Sequence, residues 1–158
     1  MPRTSFRIVK SKWASTAFDG EGARRHGGRW NSVGTRMIYT SESRSLAALE
    51  ILVHLQGPAI GFSLISCDIP DGTPFQEISE ANLPDDWRAQ PASPELARLG
   101  DEWIVQAHSV ALRVPSAVVD GEYNILLNRA HPDFKMLRIH AAVPFPYDPR
   151  LVELTGNR

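Results

Sequence analysis

Three side chains in the first third of the chain carry chemistry that an ordinary core has no use for: Arg29, Tyr39 and Glu50. Arg29 stands in Gly27-Gly28-Arg29-Trp30-Asn31, where glycines let the backbone approach a ligand closely. Glu50 lies within Ser45 to Gln56, a run of strong helix formers with Ser41 or Ser43 available as N-cap and Gly57-Pro58 as the stop. At 3.6 residues per turn Glu50 shares a face with Leu46, Ala47 and Val53, while Leu49, Leu52 and Leu55 cover the other sides. A helix apolar nearly all round is predicted to be buried. Its carboxylate then needs a partner, a raised pKa or a ligand. Arg29 is the candidate partner, and the pattern fits a structural ion pair as well as a site.

The charge balance adds to this. The chain has 158 residues and a formal net charge of −1, but residues 1 to 36 hold eight Lys/Arg against Asp19 and Glu21. A cationic N-terminal quarter beside glycines suits an anionic ligand such as a pyrophosphate, whose oxygens match the guanidinium fork. A solvated basic surface is the other meaning of such an excess.

The segment GEGARRHGGRWNSVGTRMIYTSESRSLAALEILVHL resembles the RES domain, the toxin half of bacterial RES–Xre toxin-antitoxin pairs. The likeness continues through Leu83-Pro84, Trp87, Gly100-Asp101-Glu102-Trp103, Leu112 to Val119, Glu122-Tyr123-Asn124, Leu127-Asn128, His131 to Phe134 and Asp148 to Leu151, so one RES domain over residues 1–158 is expected. One departure is Arg129, where the pattern has a proline, which bears on a local turn. The resemblance implies an α+β, ADP-ribosyltransferase-like fold: two packed, mainly antiparallel sheets with flanking helices. It implies an enzyme that consumes NAD+, with Arg29, Tyr39 and Glu50 as the family's conserved arginine, tyrosine and glutamate. Ser116 corresponds to its conserved serine, and Asn124 is a further polar candidate. Gly28, Trp30, Asn31 and His54 complete the expected substrate-binding set, His54 lying one helical turn beyond Glu50.

The chemistry of NAD+ agrees with a single acid. An O-glycosidase needs one carboxyl group to protonate the leaving oxygen and another across the ring. Nicotinamide is already cationic while bound in NAD+ and departs neutral without a proton, so one carboxylate suffices to stabilise the oxocarbenium charge or position the nucleophile. Arg29 would hold the pyrophosphate and Tyr39 the nicotinamide riboside. Water as acceptor gives hydrolysis, and inorganic phosphate as co-substrate gives phosphorolysis. The alternatives are mono-ADP-ribosylation of a host protein and a catalytically silent nucleotide-binding module on the same scaffold. The implied partner is an Xre-type helix-turn-helix antitoxin through which alone DNA is contacted, with the toxin dimeric within that complex.

Other classes fail on context. The five histidines lack zinc-type spacing, so no metal is expected, and Cys67 sits alone in an apolar run as a buried thiol. Gly20-Glu21-Gly22 follows no hydrophobic strand and has Arg25 where a Rossmann turn has its third glycine. No phosphate loop or base-reading basic helix is present. No apolar run reaches bilayer length and no signal-type stretch opens the chain, so a cytoplasmic protein is expected.

Strands are predicted at Ser5–Val9, Arg36–Thr40, Phe62–Ile69, Val110–Val114 and Phe134–His140. A second helix should start after Ser93, with Pro94 in its first turn, and run towards Ala107 with a break near Gly100. Residues 70 to 93 read as a long connection with a helical turn at Asp85–Arg88, a segment able to cover the pocket or meet a partner. Trp87 and Trp103 read as packing anchors.

Overall fold

A computed structural model describes residues 2–154. Among these residues eight strands form one hydrogen-bonded sheet: β1 (Arg3–Lys10), β2 (Ile38–Ser41), β3 (Phe62–Ile69), β4 (Phe75–Glu77), β5 (Ala111–Pro115), β6 (Tyr123–Leu127), β7 (Arg138–Ile139) and β8 (Val143–Pro144). The order is β4-β5-β6-β2-β1-β3-β7, with β8 also on β3. Pairing is antiparallel except between β4 and β5. Among the described residues four α-helices flank it: α1 (Glu21–His26), α2 (Arg44–Leu52), α3 (Pro94–Gln106) and α4 (Pro149–Glu153).

The expected pair of separate sheets is therefore corrected to one sheet, and the reason lies at a seam. β1 and β2 share a single register pair, Phe6 with Ser41, whereas β1 and β3 pair along eight residues. Two halves, β4-β5-β6-β2 and β1-β3-β7/β8, meet at that pair and pack their inner faces together. One core cluster unites Ile38, Ala111, Ile125 and Leu127 of the first half with Val9, Ile65, Cys67 and Ile69 of the second. Arg7 works at the same seam, its Nη1 donating to the Tyr39 carbonyl at 2.9 Å. Burial draws that guanidinium below its ordinary pKa, opposed by the charge of Asp19.

Each half covers its outer face with helix. On the first, α3 starts at Ser93, whose Oγ accepts from Glu95 N, and carries Pro94 at its first position. Its Leu96, Gly100 and Trp103 form one buried stripe against Trp30, Leu112, Val114 and Leu126. On the second, α2 is capped by Ser43 and sets Ala47, Ala48 and Leu52 on Ile8, Phe62 and Leu64. Tyr147 closes this layer and donates to the Ala48 carbonyl at 2.9 Å.

Several expectations change. α2 is not buried all round: Leu49 and, at its C-cap, Val53 are 37% and 42% exposed, because only one side of the helix meets the sheet. It also ends at Leu52, before the expected Gln56. Residues 134–140 are not one strand. Pro132 starts a 3-10 turn through Met136, His131 Nδ1 accepting from Asp133 N, and only Arg138–Ile139 pair with β3. The central strand β6 and the short β4 and β8, which no alternation of apolar residues announces, complete the sheet. At the Arg129 departure the turn still forms, with His131 N bonded to Asn128 O and Asn128 Oδ1 accepting from Ala130 N.

Gly100 does not break α3. A Cβ at this position would stand 1.7 Å from the Trp30 carbonyl oxygen, so the glycine is where helix and Arg29-Trp30 corner touch. Gly100→Ala is expected to cost about 2 kcal/mol or more, since backbone must move to admit the methyl. Gly22→Ala in α1, with no atom within 4 Å of the new Cβ, should be neutral or slightly stabilising. Urea midpoints of the two variants check this, and equal midpoints would remove the close approach as a constraint.

Candidate active site

At one end of the first half-sheet, strands β5, β6 and β2 bring three polar side chains to the outer face. Ser41 is the last residue of β2 and pairs with Asn124 of β6, and Ser116 follows β5 directly. Glu50 reaches this end from α2, which follows β2 after a two-residue connection. Its Oε1 accepts from Ser116 Oγ at 2.9 Å and from Asn124 Nδ2 at 2.7 Å. Oε2 accepts no hydrogen bond among the described residues. Ser116 is itself fixed, its Oγ accepting from Val118 N at 3.0 Å and Val119 N at 3.2 Å. One carboxylate oxygen is thus held from β6 and from the end of β5, while the other has no hydrogen-bond partner among the described residues.

Tyr39 lies two residues before Ser41 and so on the same face of β2. Its hydroxyl donates to Asn31 Oδ1 at 2.6 Å and accepts from Trp30 N at 3.0 Å. Burial, the dominant influence, pushes the phenol well above its ordinary pKa, so it stays a neutral donor. Asn31 is 2% exposed, and its Nδ2 donates to the carbonyls of Ala23, Ser32 and Thr35. Gly28 and Asn31 pair as a bridge with Arg29-Trp30 at the corner. A Cβ on Gly28 would fall 2.6 Å from the Tyr39 hydroxyl, which is why this position has no side chain. Trp30, 2% exposed, points into the core.

Opposed to Trp30 on the corner, Arg29 bonds through Nη1 to the carbonyls of Trp87 at 2.9 Å and Ala89 at 3.1 Å, and through Nη2 to Gln90 Oε1 at 3.0 Å. Burial lowers its pKa, while the charge of Glu50 opposes that shift. Glu50 is therefore near enough for its field to act on Arg29, but the two form no ion pair within about 4 Å among the described residues. The expected Arg29–Glu50 pairing is corrected: hydroxyl and amide donors hold the acid, and neutral acceptors hold the cation. Neither charge is cancelled by the other. Arg88, in the same loop as Gln90, reaches Asp120 beyond Ser116 and so ties two loops of the site together.

The expected residues thus fall into three groups. Arg29, Tyr39, Glu50, Ser116 and Asn124 converge on one end of the sheet. Gly28, Trp30 and Asn31 build the corner beneath Tyr39, with their own groups engaged in packing and hydrogen bonds. His54 stands past the end of α2, exposed, and makes no hydrogen bond to Glu50 among the described residues. Nor does the cationic N-terminal quarter converge: Arg24, Arg25 and Arg36 gather around Glu21, and Arg7 is buried in the seam. Sequence pattern did not single out Ser41 as a site residue, although the alternation of Tyr39 and Ser41 within β2 was an available signal. It marked the 87–90 loop only as part of the 70–93 connection able to cover the pocket, not as the holder of Arg29.

Cys67 is fully buried, and burial followed by the charge of Asp68 pushes its thiol up to about 12, far from a nucleophile. Among the described residues no group of three or more His, Cys, Asp or Glu side chains could hold a metal ion. No helix among them is long and apolar enough to cross a membrane.

Residues 4–148 match the RES domain family. The chain belongs to the RES domain family. It is 38% identical to Toxin Res of Photorhabdus laumondii over 94% of this chain and 96% of that protein. It is 36% identical to the Prs ADP-ribosylating toxin of Sphingobium, over 84% of this chain and 85% of that one. Toxin Res of Yersinia enterocolitica is 37% identical, with 92% and 97% covered. Among solved structures, one from the M. tuberculosis MbcT–MbcA toxin–antitoxin complex shares the fold, with a TM-score of 0.73, 19% identity, and 98% of this chain and 89% of that chain covered.

Arg29 fastens the 87–90 loop to the corner through its three hydrogen bonds, so its removal should free that loop. In Arg29→Ala, amide hydrogen exchange across residues 86–91 is expected to speed up by about tenfold or more, with β3 unchanged. Unaltered exchange in the loop would show that Arg29 does not hold it.

Proposed function

We propose that this RES domain is the toxin of a toxin–antitoxin pair and that it cleaves the nicotinamide–ribose bond of NAD+. The observation that carries the reading is the state of Glu50: Oε1 fixed by Ser116 and Asn124, Oε2 unbonded, and a guanidinium within electrostatic range but not neutralising it. A binding-only site for an anionic ligand gains nothing from an open carboxylate. The three relatives named as toxins, at 36–38% identity over most of their length, support the toxin assignment.

In this reading Arg29 binds the pyrophosphate with the N–H groups its loop contacts leave free, and Tyr39 lies beside the nicotinamide riboside. The C1″–N bond breaks with its electron pair passing to the pyridinium, so nicotinamide departs neutral and needs no acid. The Glu50 carboxylate faces the positive charge developing on the ribose. Water or phosphate then bonds to C1″. An attacking water passes one proton to Glu50 or solvent, leaving ADP-ribose, whereas phosphate gives ADP-ribose 1″-phosphate.

A second reading has a specific observation in its favour: the Sphingobium relative is named for ADP-ribosylation. Transfer of the same electrophile to a protein nucleophile would make this chain a mono-ADP-ribosyltransferase. For the partner we infer an Xre-type helix-turn-helix antitoxin in the cytoplasm, which alone touches DNA and binds the toxin as a dimer.

The test is release of nicotinamide from NAD+ by purified protein, with and without phosphate, and with the ribosyl product identified. Glu50→Gln keeps the size of the side chain and removes its charge. The variant should stay folded and lose about 10²- to 10³-fold in turnover, the range for removing one preorganised electrostatic group. Full turnover in Glu50→Gln would exclude the acid from the chemistry, and label appearing on protein instead of free ADP-ribose would favour the second reading.

A further inference from the structure

We propose that Ser41 is a positioning residue for Glu50, acting through Asn124. Ser41 Oγ donates to Asn124 Oδ1 at 2.7 Å, and Asn124 Nδ2 donates to Glu50 Oε1 at 2.7 Å. The chain Ser41 to Asn124 to Glu50 runs donor to acceptor in one direction, so each bond polarises the next. The inference rests on the reading of Glu50 as the catalytic carboxylate.

The amide needs two contacts to be held. Glu50 accepts only, so its charge selects Nδ2 as the end of the Asn124 carboxamide that faces it. That single contact leaves the amide free to swing about its Cβ–Cγ bond together with the carboxylate. The hydroxyl of Ser41 holds the opposite end. Ser41 is 4% exposed, and its side chain has no other hydrogen-bond partner among the described residues.

The place of Ser41 in the sheet gives this contact its leverage. α2, which carries Glu50, packs on the β1–β3 half through Ala47, Ala48 and Leu52, whereas Ser116 and Asn124 belong to the β5–β6 half. The site is assembled from both halves. Ser41 is the residue that pairs with Phe6 of β1 on one side and with Asn124 of β6 on the other, at the single register pair where the halves join. A group anchored there moves least when one half shifts against the other.

The test combines kinetics with a measurement that does not require turnover. In Ser41→Ala, kcat for nicotinamide release should fall about five- to tenfold, the worth of one hydrogen bond, with KM for NAD+ within about twofold. Ser41→Thr, which keeps the hydroxyl, should recover most of the loss. Adding Ser41→Ala to Asn124→Ala should cost nothing further, because the hydroxyl acts through the amide. In parallel, protein labelled with ¹⁵N-asparagine reports the Asn124 side-chain amide, identified by its absence in Asn124→Ala. Its two proton resonances should move towards exposed-amide positions in Ser41→Ala and stay in place in Ser41→Thr. Wild-type kinetics in Ser41→Ala, an additive double variant, or an unmoved amide pair would each overturn the proposal. Should the wild-type protein release no nicotinamide, the proposed function fails, and the amide resonances still uphold or overturn the hold of Ser41 on Asn124.

Discussion

The chemistry open to this site follows from two hydrogen bonds to one oxygen of Glu50. A carboxylate at the end of a surface helix would otherwise sample several rotamers, and its charge would be spread over them. Bonds from Ser116 and Asn124 fix Oε1, and with it the direction of Oε2. The donors are a hydroxyl and an amide, not a cation. That choice leaves the carboxylate without a cationic hydrogen-bond partner, whereas an arginine in contact with it would offset its charge.

The same logic governs Arg29. Three neutral acceptors from the 87–90 loop hold the guanidinium, so its charge also remains uncompensated. Separating an acid from a base across a small space costs stability, and the fold offsets that cost locally. Tyr39, Asn31 and the Trp30 amide form a saturated set beneath Arg29, Trp30 is buried against α3, and Gly28 and Gly100 permit the two close approaches. The motif Gly-Gly-Arg-Trp-Asn is mostly a support for one cation, with a glycine where the phenol must lie and an asparagine where three carbonyls need a donor.

The seam between β1 and β2 explains why one sheet can resemble two layers. A single register pair leaves the halves free to bend until their inner faces meet, and the core cluster between them supplies the apolar contact that holds the bend. The buried Arg7 guanidinium, bonded to the Tyr39 carbonyl, satisfies an acceptor where the ladder has stopped. Fold and site are therefore coupled, since the bend that encloses the core also brings α2 to the ends of β5 and β6.

Much of this was legible in local pattern. Apolar periodicity and capping signals located β1, β3, β5, α2 and α3, because such signals involve neighbours a few residues apart. The buried Trp87 and Trp103 and the inert Cys67 followed from residue type, and the resemblance named the residues that converge. Local pattern misjudged what depends on distant partners. The Leu-rich α2 looked buried all round, but a helix laid on a sheet hides one side only. β6 escaped notice because a strand buried on both faces shows no alternation. Amino-acid order alone was enough to mark the two longest helices, the two longest strands and the side chains capable of chemistry. That Glu50 is held by groups 66 and 74 positions away, and not by Arg29, emerged only in three dimensions, since hydrogen-bond partners are chosen by distance in space, which spacing along a chain does not encode.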